Sequence, residues 1–284
     1  MRTKTILLAA LVLAAFQAII LAEAKPPVEI GLVIYKLGEV NANDDMAKKP
    51  IDDFAAYLSG KIDGAKFVRR GVRNKPDDAL KLMQDEKNKA GVAIVSPGFY
   101  FAHKDYLKLT ALAEARRGGF DGEQYVLRGK TAAEGYPYGK RVATSLDADA
   151  AWLNNVVLPY DKAKGKPIEW VHYDNLMDAA YAIVDGEKNA PDFVLLDRVS
   201  AKAIAADADL KDLKEGAKSE VLPQDLVVEI DGRLADKRDA FKETLAKLDQ
   251  SEEGKKLGTT LQTATFPAVD EKRLAAAQTA FKKE

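Results

Sequence analysis

The chain has 284 residues, of which 43 are basic and 44 acidic, for a net charge of −1. So balanced a surface excludes nucleic acid or an anionic membrane as the main partner, because both need a basic face. With 0 Cys and 2 His the chain can form neither a disulfide framework nor a standard zinc set, while its length allows an adequate core in one large or two smaller domains.

The first 24 residues read as a cleavable secretory signal peptide. Met1 to Lys4 is a short basic start, residues 6–21 are apolar apart from Gln17, and Ala22-Glu23-Ala24 presents small residues where a signal peptidase reads. A retained membrane anchor is the alternative, although the apolar run is short for a span. There is no lipobox Cys to carry a lipid, so the mature chain is expected free in a periplasm.

The mature part alternates short apolar runs with helical patterns. Residues 28–35 are β-branched and almost continuously apolar, which suits a strand covered on both faces. A helix is expected over residues 50–61, with Ile51, Phe54, Ala55 and Leu58 on one stripe. Residues 66–72 read as a second strand, and Pro76 opens a second helix with Asp77 and Asp78 at the positive end of its dipole. Residues 92–95 form a third strand, followed by Ser96-Pro-Gly98 and an aromatic helix carrying Phe99, Tyr100, Phe101 and Tyr106. A fourth strand spans residues 109–115. This βαβαβ order predicts a mainly parallel sheet with helices on both faces.

Residues 116–121 break the pattern, and their adjacent Gly118 and Gly119 suit a chain passing between lobes. Strands are then expected over residues 124–128, 141–145, 168–172 and 192–197. The intervening helices run from Ala148 to about Tyr160, from a cap at Asp174 or Asn175 to Asp185, and from Ser200 to Ala206. The tail begins extended over residues 221–230. It continues with a helix over residues 237–248, another opened by Ser251, and a last one from Asp270, and is expected to pack back on the first lobe.

Several runs carry a resemblance. They are Asp53-Phe-Ala-Ala-Tyr-Leu58, Ala93-Ile-Val-Ser-Pro-Gly-Phe-Tyr100, residues 178–187 followed by residues 192–197, and residues 223–228 followed by Asp249-Gln-Ser-Glu-Glu-Gly254. In order and spacing they resemble the type II periplasmic binding proteins, and more narrowly the phosphate/phosphite/phosphonate solute-binding proteins of ABC transporters. The resemblance covers nearly the whole mature chain. It implies an α/β fold of two lobes, each a mainly parallel sheet flanked by helices and joined by a two-segment hinge. The lobes would be residues 25–118 plus 223–284 and residues 119–222, with crossovers at 116–121 and 220–225. A small polar or anionic ligand would sit outside the carboxyl ends of the strands, and hinge closure would trap it for an ABC permease. No cofactor, no metal and no nucleic acid are implied, and a monomer is expected.

The chain departs from the family where phosphonate recognition is usually built. The Ser/Thr-rich turn after residues 142–146 continues instead as Asp147-Ala-Asp149, whose carboxylates would repel an anion. The family's frequent His is here Met177. Both changes weigh against a phosphate-like ligand.

Eight ligand-contact candidates follow. Tyr35 ends the first strand and would face the cleft, unless it packs beneath the crossover. Ser96, Gly98 and Tyr100 flank the turn after the third strand, where a hydroxyl and free N–H groups can hold an anion or carbonyl, although Ser96 alone could be a plain cap. Tyr125 follows the first crossover and could stack on a ligand or pack the hinge. Thr144 and Ser145 end a second-lobe strand. Asp197 would meet a cationic or hydroxylated ligand, or merely cap a helix. His103 and His172 fall in different lobes, and Trp152 and Trp170 read as core. No nucleophile or phosphate-loop signature appears, so no catalytic residue is assigned. The alternatives are a sensory protein presenting ligand to a membrane receptor, an exported enzyme using Asp197, Asp147 or Asp149 as acid or base, and a partner-binding module that has lost its ligand.

Overall fold

The structure, a computed structural model, describes residues 26–36 and 44–283; the expected signal segment lies outside the described residues. The first sheet gathers β1 (Val28–Tyr35), β2 (Ala65–Arg73), β3 (Ala90–Val95), β4 (Leu109–Ala115) and the returning strand β10 (Asp225–Ile230), in the order β2-β1-β3-β10-β4. The second gathers β5 (Val126–Gly129), β6 (Arg141–Thr144), β7 (Glu169–His172), β8 (Phe193–Leu196) and β9 (Lys214–Lys218), in the order β7-β6-β8-β5-β9. Both sheets are mixed. β1 is parallel to β2 and β3, whereas β10 runs antiparallel to β3 and β4. β6 is parallel to β7 and β8, whereas β5 runs antiparallel to β8 and β9. The antiparallel pairs arise because β5 and β10 enter their sheets directly from the crossovers, without a preceding helix that would return the chain to the starting edge.

Helices α1 (Asp44–Lys61), α2 (Pro76–Gln84) and α3 (Pro97–His103) connect the first four strands. In the second sheet the connections are α4 (Ala150–Trp152), α5 (Leu176–Asp185) and α6 (Arg198–Ala206), with α4 running on as a π-helical turn over Leu153–Val157. The expected helix from Ala148 to Tyr160 is therefore a short broken one. Helices α7 (Arg238–Ala246), α8 (Glu252–Thr260) and α9 (Glu271–Phe281) complete the tail. Among the described residues no helix is long and apolar enough to cross a membrane.

The apolar stripes behave as their spacing requires. Phe54 and Leu58 of α1 meet Phe67, Phe241, Leu245 and Leu257 on one face of the first sheet. Ala179, Ala180 and Ile183 of α5 meet Ala143, Val194 and Leu196 in the second lobe. A third apolar layer runs from lobe to lobe, joining Val33, Tyr35 and Phe99 to Trp152, Val156 and Leu195. Here Phe101 lies 6.0 Å from Trp152 and 5.6 Å from Phe281, and Asn155 Nδ2 donates to the Phe281 carbonyl at 3.1 Å. The last helix thus packs on both lobes and not on the first alone.

Two carboxylates are wholly buried in the first sheet; both face arginines, but only Glu229 has both oxygens hydrogen-bonded, and Glu114 Oε2 has ion pairing alone. Glu229 accepts from Arg238 Nε at 2.6 Å and from the Leu234 N–H at 2.9 Å. Glu114 lies 3.6 Å from Arg116 Nε and 3.7 Å from Arg273 Nη1, and accepts from the Asp270 N–H at 3.2 Å.

Candidate functional site

The carboxyl ends of parallel strands expose unpaired backbone groups and point the following loops the same way, so a crevice forms where two such ends meet. Here the ends of β1 and β3 face the ends of β6 and β8 across a cavity of about 960 Å³. Lys36, Ser96 and Pro97 line it from the first lobe, and Thr144, Ser145, Asp149 and Trp152 from the second. The crossovers contribute Arg117, Gln224 and Asp225, and the segment after the first crossover contributes Glu123 and Tyr125.

The crossovers are bound to each other. Glu123 and Leu222 form an antiparallel bridge, with N–H···O distances of 2.8 and 2.7 Å. Gln224, only 4% exposed, accepts from the Arg117 N–H at 2.6 Å and donates to the Phe120 and Gly122 carbonyls at 3.2 and 3.1 Å. Ser219 Oγ accepts from the Tyr125 N–H at 3.0 Å. Gly118 and Gly119 adopt φ of 61° and 72°, a region open to glycine at little cost, so the chain can turn between lobes there.

Five of the eight candidates meet at this cavity: Ser96, Tyr125, Thr144, Ser145 and Asp197. Ser96 also caps α3 through the Phe99 N–H at 3.3 Å, and Asp197 caps α6 through the Ser200 N–H at 2.6 Å, so capping and cavity roles coexist. Thr144 is buried and its Oγ1 accepts from the Leu146 N–H at 3.1 Å. Tyr35, Gly98 and Tyr100 do not line the cavity. Tyr35 is turned into the interlobe layer, 4.8 Å from the Phe99 ring, because its apolar body gains more from that packing than from a wet wall. Tyr100 packs on Phe101 at 5.4 Å. Gly98 is covered from the other lobe: a Cβ built on it would stand 1.6 Å from Asp149 Oδ2.

Glu123, Gln224 and Asp225 were not among the expected contacts, and Asp149 was expected only as an acid or base of the enzyme alternative. Glu123 accepts at Oε1 from the N–H groups of Gln124 and Arg198, at 2.9 and 3.0 Å. Burial pushes its pKa up to about 7, with Asp197 adding to the rise and the two N–H groups and Arg117 opposing it. Burial likewise pushes Asp149 up to about 6, opposed by its cap on the Trp152 N–H. Asp225 lies 4.0 Å from Arg117 Nε. Gln224 and Asp225 lie in the expected second crossover, whose polar residues were the available signal for them, whereas Glu123 lies just past the first, residues 116–121. At the rim, His172 is held between Asp147 at 2.6 Å and Asp174 at 2.8 Å, which raises its pKa. Asp147 therefore faces a histidine, while Asp149 faces the cavity. Met177, where the family's His was expected, stands in the wall. Among the described residues no group of three or more His, Cys, Asp or Glu is placed to hold a metal.

Solved structures share this fold. A Xanthomonas citri protein bound to ATP superposes with a TM-score of 0.66 at 11% identity, covering 90% of this chain and 97% of that one. The binding-protein component of a Pseudomonas aeruginosa ABC phosphonate transporter gives 0.60 at 14% identity, over 89% and 84% of the two chains. The fold is that of the two-lobed periplasmic binding proteins. PhnD1 of Prochlorococcus marinus, in complex with methylphosphonate, shares that binding-protein fold with a TM-score of 0.57 at 11% identity, over 89% of this chain and 97% of its own. No family model matches the sequence, and no curated protein matches it.

Proposed function

We propose that the mature chain is an extracytoplasmic solute-binding protein, which traps a small molecule by closure of its two lobes and hands it to an ABC permease. The lobes of this reading are residues 25–118 plus 223–284 and residues 119–222, hinged at the paired crossovers, and the protein works as a periplasmic monomer without covalent chemistry. One observation carries the reading: groups from both lobes and both crossovers converge on one cavity of about 960 Å³, a volume suited to a small solute. A solute touching both walls stabilises the closed arrangement by its contacts with the second lobe.

The test is a thermal-shift screen of the purified mature chain against amines, sugars, oxyanions and phosphonates. A solute at 100 times its dissociation constant stabilises by about 2.7 kcal/mol, a rise readily seen for a chain of this size. A saturable shift with no change in the added compound supports capture. Turnover of the compound would instead make the cavity an active site, and silence across the screen would overturn the proposal.

A further inference from the structure

Resting on that reading, we infer that the captured solute is a small organic cation, an amine or guanidinium whose charge is met by Glu123 at the hinge. The cavity wall carries the carboxylates of Glu123, Asp149, Asp174, Asp197 and Asp225 against the cations of Lys36 and Arg117. Arg117 already faces Asp225, so the cationic side of the wall is partly compensated by the wall itself. An anion entering here would meet an excess of like charge in a place where water screens poorly.

Glu123 is the group that points to a ligand. It is 9% exposed, and both of its hydrogen bonds fall on Oε1, which leaves Oε2 without a donor in a wall of the cavity. That oxygen is an acceptor open to the cavity, where a donor or cation can reach it. An ammonium or guanidinium supplies both at once. Asp197 is arranged similarly, with Oδ1 accepting from the Ser200 N–H and Oδ2 left over. The rings of Tyr125 and Trp152 line the same cavity, and aromatic faces attract cations and repel anions. The wall thus combines counter-charge and ring faces, which suits a cation with an apolar body.

Asp197, Arg117, the Tyr125 hydroxyl and the N–H groups of Gln124 and Arg198 are the charged and polar groups that bear on Glu123. When Glu123 is protonated, the cation must displace that proton, so affinity falls with acidity. The sign reverses for an anion.

The experiment is isothermal titration calorimetry on the purified mature chain with agmatine, putrescine, choline, methylphosphonate and inorganic phosphate, at pH 8 and pH 5.5. The inference expects at least one of the three cations to bind at pH 8, and to bind roughly thirtyfold more weakly at pH 5.5 as Glu123 takes up its proton. Glu123→Gln keeps an acceptor for the two N–H groups but loses the charge, and is expected to weaken that cation at least about tenfold at pH 8. The pH series on the unaltered chain stands even if the variant folds poorly. Binding of methylphosphonate or phosphate with all three cations silent would overturn the cation inference and leave the capture reading standing. Silence from all five compounds, together with silence in the thermal screen, would overturn both.

Discussion

Gly98 lies against Asp149 of the other lobe, and replacing it with Ala should measure that contact. A Cβ at this position would stand 1.6 Å from Asp149 Oδ2, 2.5 Å from its Cγ and 2.9 Å from Oδ1. The carboxylate must swing away or the lobes must part. Swinging away sacrifices the cap on the Trp152 N–H, which now sits at 3.3 Å; such a loss costs about 0.5–2 kcal/mol. Overpacking adds about 1–3 kcal/mol. Ala in place of Gly in α3 returns up to about 1 kcal/mol of helix propensity. The net expectation for Gly98→Ala is a loss of about 0.5–5 kcal/mol, or roughly 1–20 °C in melting temperature for a chain of this size. In an Asp149→Ala background the obstruction is gone and only the propensity gain remains, so the same substitution should be neutral or stabilising by up to about 1 kcal/mol. Differential scanning calorimetry on the four proteins of the cycle reads this directly. An equal loss from Gly98→Ala in both backgrounds would refute the claim that Asp149 bridges the lobes there.

Glu123 gives a second test through linkage. Its folded pKa of about 7 lies above the ordinary 4.5, so its contribution to stability is present below about pH 4.5 and lost as pH rises through 7. Glu123→Gln is therefore expected to raise the melting temperature at pH 8, by an amount equivalent to at most about 3 kcal/mol, and to change little at pH 4.5. The two histidines should titrate in opposite directions in a proton NMR series: His172 above 6.5 because Asp147 and Asp174 hold its proton, His103 below because it is buried. Asp147→Asn should lower the His172 midpoint and leave that of His103 unmoved. Gln224→Ala strands the Arg117 N–H and the carbonyls of Phe120 and Gly122. At about 1–3 kcal/mol for each buried group left unsatisfied, partly relieved by water, urea denaturation should show a loss of roughly 2–4 kcal/mol.

How much of this was legible depended on the kind of signal. The strands of the first lobe were readable because residues 28–35 and 92–95 are near-continuous apolar runs, and residues 30–35 and 92–95 are buried in the structure. The caps at Ser96, Asn175, Ser251 and Asp270 were readable because short polar side chains precede helical stripes, and each accepts from a backbone N–H as expected. The strand Lys214–Lys218 was missed. Its sequence, Lys-Glu-Gly-Ala-Lys, carries no apolar alternation, since it is an exposed edge pairing only with β5. The start of α1 at Asp44 was also missed. The stripe over residues 50–61 suggests a helix beginning at Pro50, whereas Pro50 lies within one.

The site was legible in its location and less so in its chemistry. Strand ends told where the lobes would face each other, which placed Ser96, Thr144, Ser145 and Asp197 at the cavity. They could not tell which way a side chain turns. Tyr35 follows the apolar layer inward, because a large ring gains more from Phe99 than from solvent. Glu123 carries no local signature at all. Its importance comes from a partner 75 residues away, the Arg198 N–H, and from the burial that the Leu222 bridge imposes. Such long-range placement is invisible to periodicity.

A crystal structure of the mature chain with the solute that most raises its melting temperature tests the central claim most directly. The account expects that solute between Ser96 of the first lobe and Thr144 of the second, touching Glu123 and at least one group from each wall. A solute bound outside the interlobe cavity, or held by one lobe alone, would contradict it.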